Sequence, residues 1–119
     1  MITTTNGEPA ALYIRAAQKA PIQTISEYRN EIDLFCKEHG YNVLEEYVDN
    51  GYSGRNINRP AFIKMLNDIA SDPPWDTIIV YRFANIARSC TISQFFEQIC
   101  KDRNISIISL DAYPFIEED

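Results

Sequence analysis

Arginines and aspartates recur in this chain where apolar runs give way to polar loops. Arg15 follows the run 10–14, and Asp49 precedes the loop 50–59, which carries Ser53, Arg55 and Arg59. Arg82 and Arg88 follow the run 77–81, and Asp111 follows the run 105–110. A guanidinium is a planar fork of donors that matches phosphate oxygens two at a time, so several of them on one rim suit a phosphate group. The same residues also fit a duller role, in which Arg15, Arg59 and Arg88 persist by pairing with Asp49 and Asp111. Metal chemistry has few ligands to draw on: the chain has one histidine, His39, and three cysteines, Cys36, Cys90 and Cys100, without C-x-x-C spacing. No metal and no cofactor are expected. His39 lies in the last turn before Gly40, where a cation suits the helix dipole better than a metal does.

The elements that must position these groups follow from periodicity. Residues 10–15 read as a buried strand, and residues 1–9 as a loose terminus. Thr24 and Glu27 have capping-box spacing ahead of Ile25, Tyr28, Ile32, Phe35 and Cys36, which recur as one face of a helix ended by Gly40. Residues 41–48 read as a second strand, and Pro60 suits the first turn of a second helix with Phe62, Ile63, Leu66, Ile69 and Ala70 on one face. The uninterrupted β-branched run 77–81 has the pattern of a central parallel strand, and Trp75 before it reads as a plug over the sheet edge. Thr91 and Gln94 repeat the capping-box spacing ahead of Ile92, Phe95, Phe96, Ile99 and Cys100, and 105–110 is a fourth strand. The order β-α-β-α-β-α-β predicts an α/β fold: a small doubly wound, three-layer sheet of four mainly parallel strands with helices on both faces. In such sheets ligands bind at the carboxyl ends of the strands, which is where the arginines fall.

Composition narrows the class. With 119 residues and 45% apolar content the chain is long enough for one domain with its own core. Its longest apolar runs fall far short of the roughly 20 residues that cross a bilayer, so no membrane partner is expected, and the start lacks a secretory pattern, which makes a cytoplasmic protein the default. The net charge of −6 opposes bulk attraction to nucleic acid. Four of the 17 acids fall in 111–119, however, leaving 13 against 11 bases over 1–110. The body is nearly neutral, and 111–119 forms an acidic C-terminal segment. Tyr41, Tyr47 and Tyr52 do not alternate with bases along any element, so they are poor evidence of a base-stacking surface.

Four blocks carry a resemblance to a known family. They are Tyr13-Ile14-Arg15, the stretch 35–41, the stretch 49–54 with Arg59-Pro60, and Ile79-Val80-Tyr81-Arg82 with Ala87-Arg88-Ser89. In order and spacing they resemble the catalytic domain of serine recombinases, the resolvase/invertase family, with the likeness greatest to large members from phages and conjugative transposons. It spans about residues 10–110. The resemblance implies a resolvase-like fold and DNA cleavage by a serine hydroxyl, with arginines neutralising the phosphorane and no metal.

The resemblance also shows four departures. Where the family reads Tyr-x-Arg-Val-Ser, this chain has Ala17 at the nucleophile position; where it reads Leu-Asp-Arg-Leu-Ala-Arg-Ser, the Asp is Ala84 and the first Arg is Asn85. The usual glutamine of the first helix is Tyr28. Arg15, Ser53, Arg59 and Arg88 are retained. A methyl group cannot attack phosphorus, so the expectation is a catalytically inactive homologue. Its retained residues Arg15, Ser53, Arg59 and Arg88 would hold a DNA backbone weakly, or the chain would act as a homo-oligomer or beside an active recombinase partner. The family's DNA-binding module and long dimerising helix are not within these 119 residues, so tight DNA binding by this stretch is not expected. Two alternatives stay open: an active recombinase using Cys90 or Ser53 as a substitute nucleophile, and a small α/β module that binds a nucleotide or another anion.

Overall fold

The computed structural model describes residues 7–111; the expected acidic segment therefore lies, apart from Asp111, outside the described residues. Four parallel strands, β1 (Glu8–Ala16), β2 (Tyr41–Asn50), β3 (Thr77–Val80) and β4 (Ser106–Ser109), form one sheet in the order β2-β1-β3-β4. Helix α1 (Ile22–His39) links β1 to β2, α2 (Pro60–Ala70) links β2 to β3, and α3 (Cys90–Asp102) links β3 to β4. A single 3-10 turn, Phe83–Asn85, follows β3.

Alternation along β1 builds both faces of the sheet. Ala10, Leu12 and Ile14 pack with Ile25, Ile32, Phe35 and Cys36 of α1. Ala11 and Tyr13 point the other way, into a core with Phe62, Met65 and Ile69 of α2 and Phe96 and Cys100 of α3. One helix thus covers one face and two cover the other, as expected for a doubly wound sheet. All four residues of β3 are buried, which explains its lack of alternation. Because β1 leads out to β2 on one side and β3 leads out to β4 on the other, the chain reverses direction between β1 and β3. The carboxyl ends of these two strands flank the topological switch point, where open α/β sheets hold ligands.

Several local expectations are met. Gly40 ends α1 with φ +79°, and its N–H bonds to the Cys36 carbonyl at 2.9 Å. Pro60 is the first residue of α2. His39 Nδ1 lies 3.0 Å from the Phe35 carbonyl in the last turn of α1. Trp75 is buried edge-on against Tyr47.

Others are corrected. Strand β1 begins at Glu8, so residues 8 and 9 of the expected loose terminus are strand, and the Glu8 N–H bonds to the Gly40 carbonyl at 2.8 Å. Neither capping box forms. Helix α1 starts at Ile22 behind Pro21, whose carbonyl accepts the Thr24 N–H, so Thr24 and Glu27 lie inside the helix. Helix α3 starts at Cys90, because the Ser89 hydroxyl takes the capping position and accepts from the Ile92 N–H. On α2, Met65 is buried in place of Ile63 and Ala70, and on α3 Phe95 is exposed.

Candidate functional site

The switch point is organised around two buried guanidinium groups. Tyr13 and Arg15 stand two apart on β1 and share its α2–α3 face. Arg15, 5% exposed, turns all three guanidinium nitrogens to the backbone: Nε donates to the Asn85 carbonyl (2.9 Å), Nη1 to the Tyr52 carbonyl (3.0 Å) and Nη2 to the Ala84 carbonyl (2.8 Å). One side chain thereby ties the end of β1 to the loop after β2 and to the turn after β3. Each bond is charge-assisted, which makes it stronger than a neutral one. Burial and the neighbouring cations of Arg59 and Arg88 hold the Arg15 pKa below the usual arginine value.

Arg59 is fully buried at the N-cap of α2. Its Nε donates to the Asn56 carbonyl at 3.0 Å, Nη1 to the Tyr13 hydroxyl at 3.2 Å and to the Asn85 carbonyl at 3.3 Å, and the guanidinium stacks on the Phe62 ring at 4.1 Å. Nη2 is buried without a hydrogen-bond partner. A cation at a helix N-terminus opposes the dipole, and Asp49 offsets it. The Asp49 carboxylate accepts the Ala61 N–H (2.8 Å) and the Phe62 N–H (2.9 Å), capping α2 from the neighbouring strand, and also accepts the Tyr13 hydroxyl at 2.7 Å. Tyr13 therefore stands between the buried anion and the buried cation, and its burial raises the pKa of its phenol.

Asn85 closes the arrangement. Its Nδ2 donates to the Arg15 carbonyl at 2.9 Å while its Oδ1 accepts the Arg82 N–H at 3.0 Å, so both ends of the carboxamide are used. Gly54 lies where the loops meet. Its carbonyl accepts the Arg88 N–H at 2.9 Å, and a Cβ there would stand 2.8 Å from Arg15 Nη2 and 2.9 Å from Arg88 Cγ.

Arg15 and Arg59 bond chiefly to the backbone rather than to acids. No ion pair among the described residues involves Arg15, Arg59 or Arg88. In place of the direct pairing with Asp49 and Asp111 that the alternative reading offered, Arg15 and Arg59 bond to backbone carbonyls and, for Arg59, to the Tyr13 hydroxyl. Asp111 instead accepts from the Phe83 N–H and the Ser109 hydroxyl. Arg88 is exposed, as are Arg55 and Arg82. Ser53 is exposed and its hydroxyl accepts the Arg55 N–H at 3.0 Å, a local turn contact. Ala17 is exposed just beyond β1, next to Ala16, whose carbonyl accepts the N–H groups of Gly51 and Tyr52. Tyr28 lies on the other face of the sheet, 4.7 Å from the Tyr81 ring. The structure thus gathers Arg15, Arg59, Arg88, Ala84 and Asn85 and leaves Tyr28 apart.

A family model described as Resolvase, N terminal domain, matches residues 10–119. The chain belongs to this resolvase family. Among solved structures, the N-terminal catalytic domain of TP901-1 integrase is 26% identical to this resolvase-family chain, with a TM-score of 0.81 over 87% of this chain and 79% of that one. The C-terminal catalytic domain of ISC1926 TnpA, an IS607-like serine recombinase, is similar in fold at 17% identity, with a TM-score of 0.77 over 92% of this chain and 76% of that one. A resolvase family site-specific recombinase from Streptococcus pneumoniae shares the fold at 24% identity, with a TM-score of 0.74 over 87% and 72%. No curated protein matches the chain closely.

Within this resolvase domain three contacts at the candidate site were not anticipated from the sequence. Tyr13 links Asp49 to Arg59, Asn85 binds Arg15 in return, and Gly54 makes room for both Arg15 and Arg88. Only the first had a usable signal, since Tyr13 and Arg15 are two apart on a strand and must face the same way.

Proposed function

We propose that this chain is a serine-recombinase catalytic domain that no longer cleaves DNA and that acts by holding a DNA backbone or another recombinase subunit. The observation that carries the reading is Ala17. The nucleophile position follows the strand that delivers Arg15 to the switch point, and it presents a methyl group. Covalent catalysis at phosphorus needs a nucleophilic side chain there, and without one only binding and charge stabilisation remain. Ala84 and Asn85 support the same conclusion, because neither supplies a carboxylate or a cation, and Asn85 commits its carboxamide to the backbone of Arg82 and Arg15.

The binding half of the proposal is supported by what stays on the surface. Arg55, Arg82 and Arg88 are exposed in the loops that Arg15 ties together, and the relatives with this fold are an integrase and site-specific recombinases. Fluorescence anisotropy with a labelled duplex, run at low and high salt, tests it. Weak binding that falls as salt rises is expected, because few phosphates are met. Binding indifferent to salt, or none at low salt, would remove DNA from the reading and leave the partner-subunit role, which co-sedimentation with an active recombinase then tests.

A further inference from the structure

We infer that Asn85 is a latch that sets how well the buried arginine pair receives an anion. The inference rests on the anion-holding part of the reading above and adds the element that controls it. In the closed arrangement the Asn85 carbonyl accepts from both Arg15 and Arg59, and the Ala84 carbonyl accepts from Arg15, so oxygens of the protein already occupy the donors that a phosphate would use. The turn that carries those carbonyls is a single 3-10 turn with no buried residue, so little packing holds it down. The Asn85 carboxamide holds it, with one bond to the Arg15 carbonyl and one to the Arg82 N–H, beside the bond from the Phe83 N–H to Asp111. The second observation is Arg59 Nη2, a fully buried cationic donor without a partner, which a closed backbone leaves unsatisfied and a bound anion oxygen would satisfy. Release of the carboxamide lets the two carbonyls swing away and exposes Arg15 and Arg59 to a phosphate oxygen.

Inorganic phosphate is the probe, titrated calorimetrically into the native chain, Asn85→Ala and Asn85→Ser, with amide hydrogen exchange followed over residues 82–88. Serine is short enough to keep a contact to the Arg82 N–H but not to reach the Arg15 carbonyl, so it isolates the latch if the alanine variant unfolds. Both variants are expected to bind phosphate about ten-fold more tightly than the native chain, the worth of roughly one competing hydrogen bond, and to exchange faster over 82–86. Adding Arg59→Ala to the serine variant should abolish the gain. Equal phosphate affinity in native and variant chains would overturn the latch while leaving the arginine rim as an anion site. Faster exchange without tighter binding would reduce Asn85 to a structural clip and also overturn it. Phosphate binding by none of the chains, with no response to salt in the duplex titration, would overturn the anion-holding reading itself.

Discussion

Arg15 and Asn85 hydrogen-bond to one another in both directions. Arg15 Nε donates to the Asn85 carbonyl at 2.9 Å, and Asn85 Nδ2 donates to the Arg15 carbonyl at 2.9 Å. The pair bridges the carboxyl ends of β1 and β3, the two strands that flank the switch point. Arg15, which the sequence offers as a phosphate ligand, is thus a staple in the fold, and Asn85 makes the return bond.

The staple has a measurable weight. Arg15→Ala removes three charge-assisted bonds, leaves the carbonyls of Tyr52 and Ala84 without their donor and leaves that of Asn85 with Arg59 alone, which should cost about 3 kcal/mol of stability. Arg88→Ala touches an exposed side chain and should stay within about 0.5 kcal/mol of the native chain. Urea denaturation of the two variants checks this. Equal, small losses would mean that Arg15 holds nothing together.

Gly54 should tolerate no side chain. A methyl group there meets Arg15 Nη2 at 2.8 Å and Arg88 Cγ at 2.9 Å. Arg88 can swing away, but Arg15 is held by three bonds, so Gly54→Ala should cost about 1–3 kcal/mol and weaken the Arg15 bonds. A melting temperature unchanged by the substitution would show that Arg15 is free to move.

The cysteines should differ sharply in reactivity. Burial pushes the Cys36 thiol up to about 11 and the Cys100 thiol up to about 12, and both side chains are buried, whereas Cys90 is exposed. Iodoacetamide at neutral pH should therefore label Cys90 alone in the folded chain, and all three thiols in denaturant. Rapid labelling of Cys36 or Cys100 under native conditions would contradict the packing on the corresponding face.

Much of the architecture was legible in residue types. The run 78–80 is apolar throughout because both faces are covered, and Gly40 and Pro60 mark helix boundaries through backbone constraints that few other residues meet. The helix starts at Ile22 and Cys90 were not, because α1 begins behind Pro21 with no side-chain cap at all, and Thr91 offers the same capping chemistry as Ser89, which lies closer to the turn. The arginine partners were the least legible part of the site. A backbone carbonyl carries no residue-type signal, so nothing at positions 52, 84 or 85 announces that Arg15 will bond there. Asp49 was noticed as a partner for arginine, yet most of its capacity goes to the N–H groups of α2, a role set by the neighbouring strand that no local motif encodes.

Acid should expose a second network. The Tyr47 hydroxyl, 2.5 Å from Asp68, and then the Lys64 ammonium hold the Asp68 carboxyl below the usual carboxylate value. A lowered folded pKa contributes stability above the unfolded value, and that contribution is lost as pH falls below about 4. The urea midpoints of the native chain and Asp68→Asn should therefore differ most near neutral pH and converge in acid. A constant difference from pH 7 to pH 3 would mean that the carboxylate is not stabilised by folding.

The central claim, that this recombinase fold lacks the means to open DNA, is tested most directly by intact-mass spectrometry of the chain after incubation with nicked duplexes of randomised sequence, which trap a covalent intermediate. Unmodified protein only is expected, at high concentration and long incubation, because Ala17 offers no nucleophile. A protein–nucleotide adduct mapped to Ser53, Cys90 or any other side chain would contradict it.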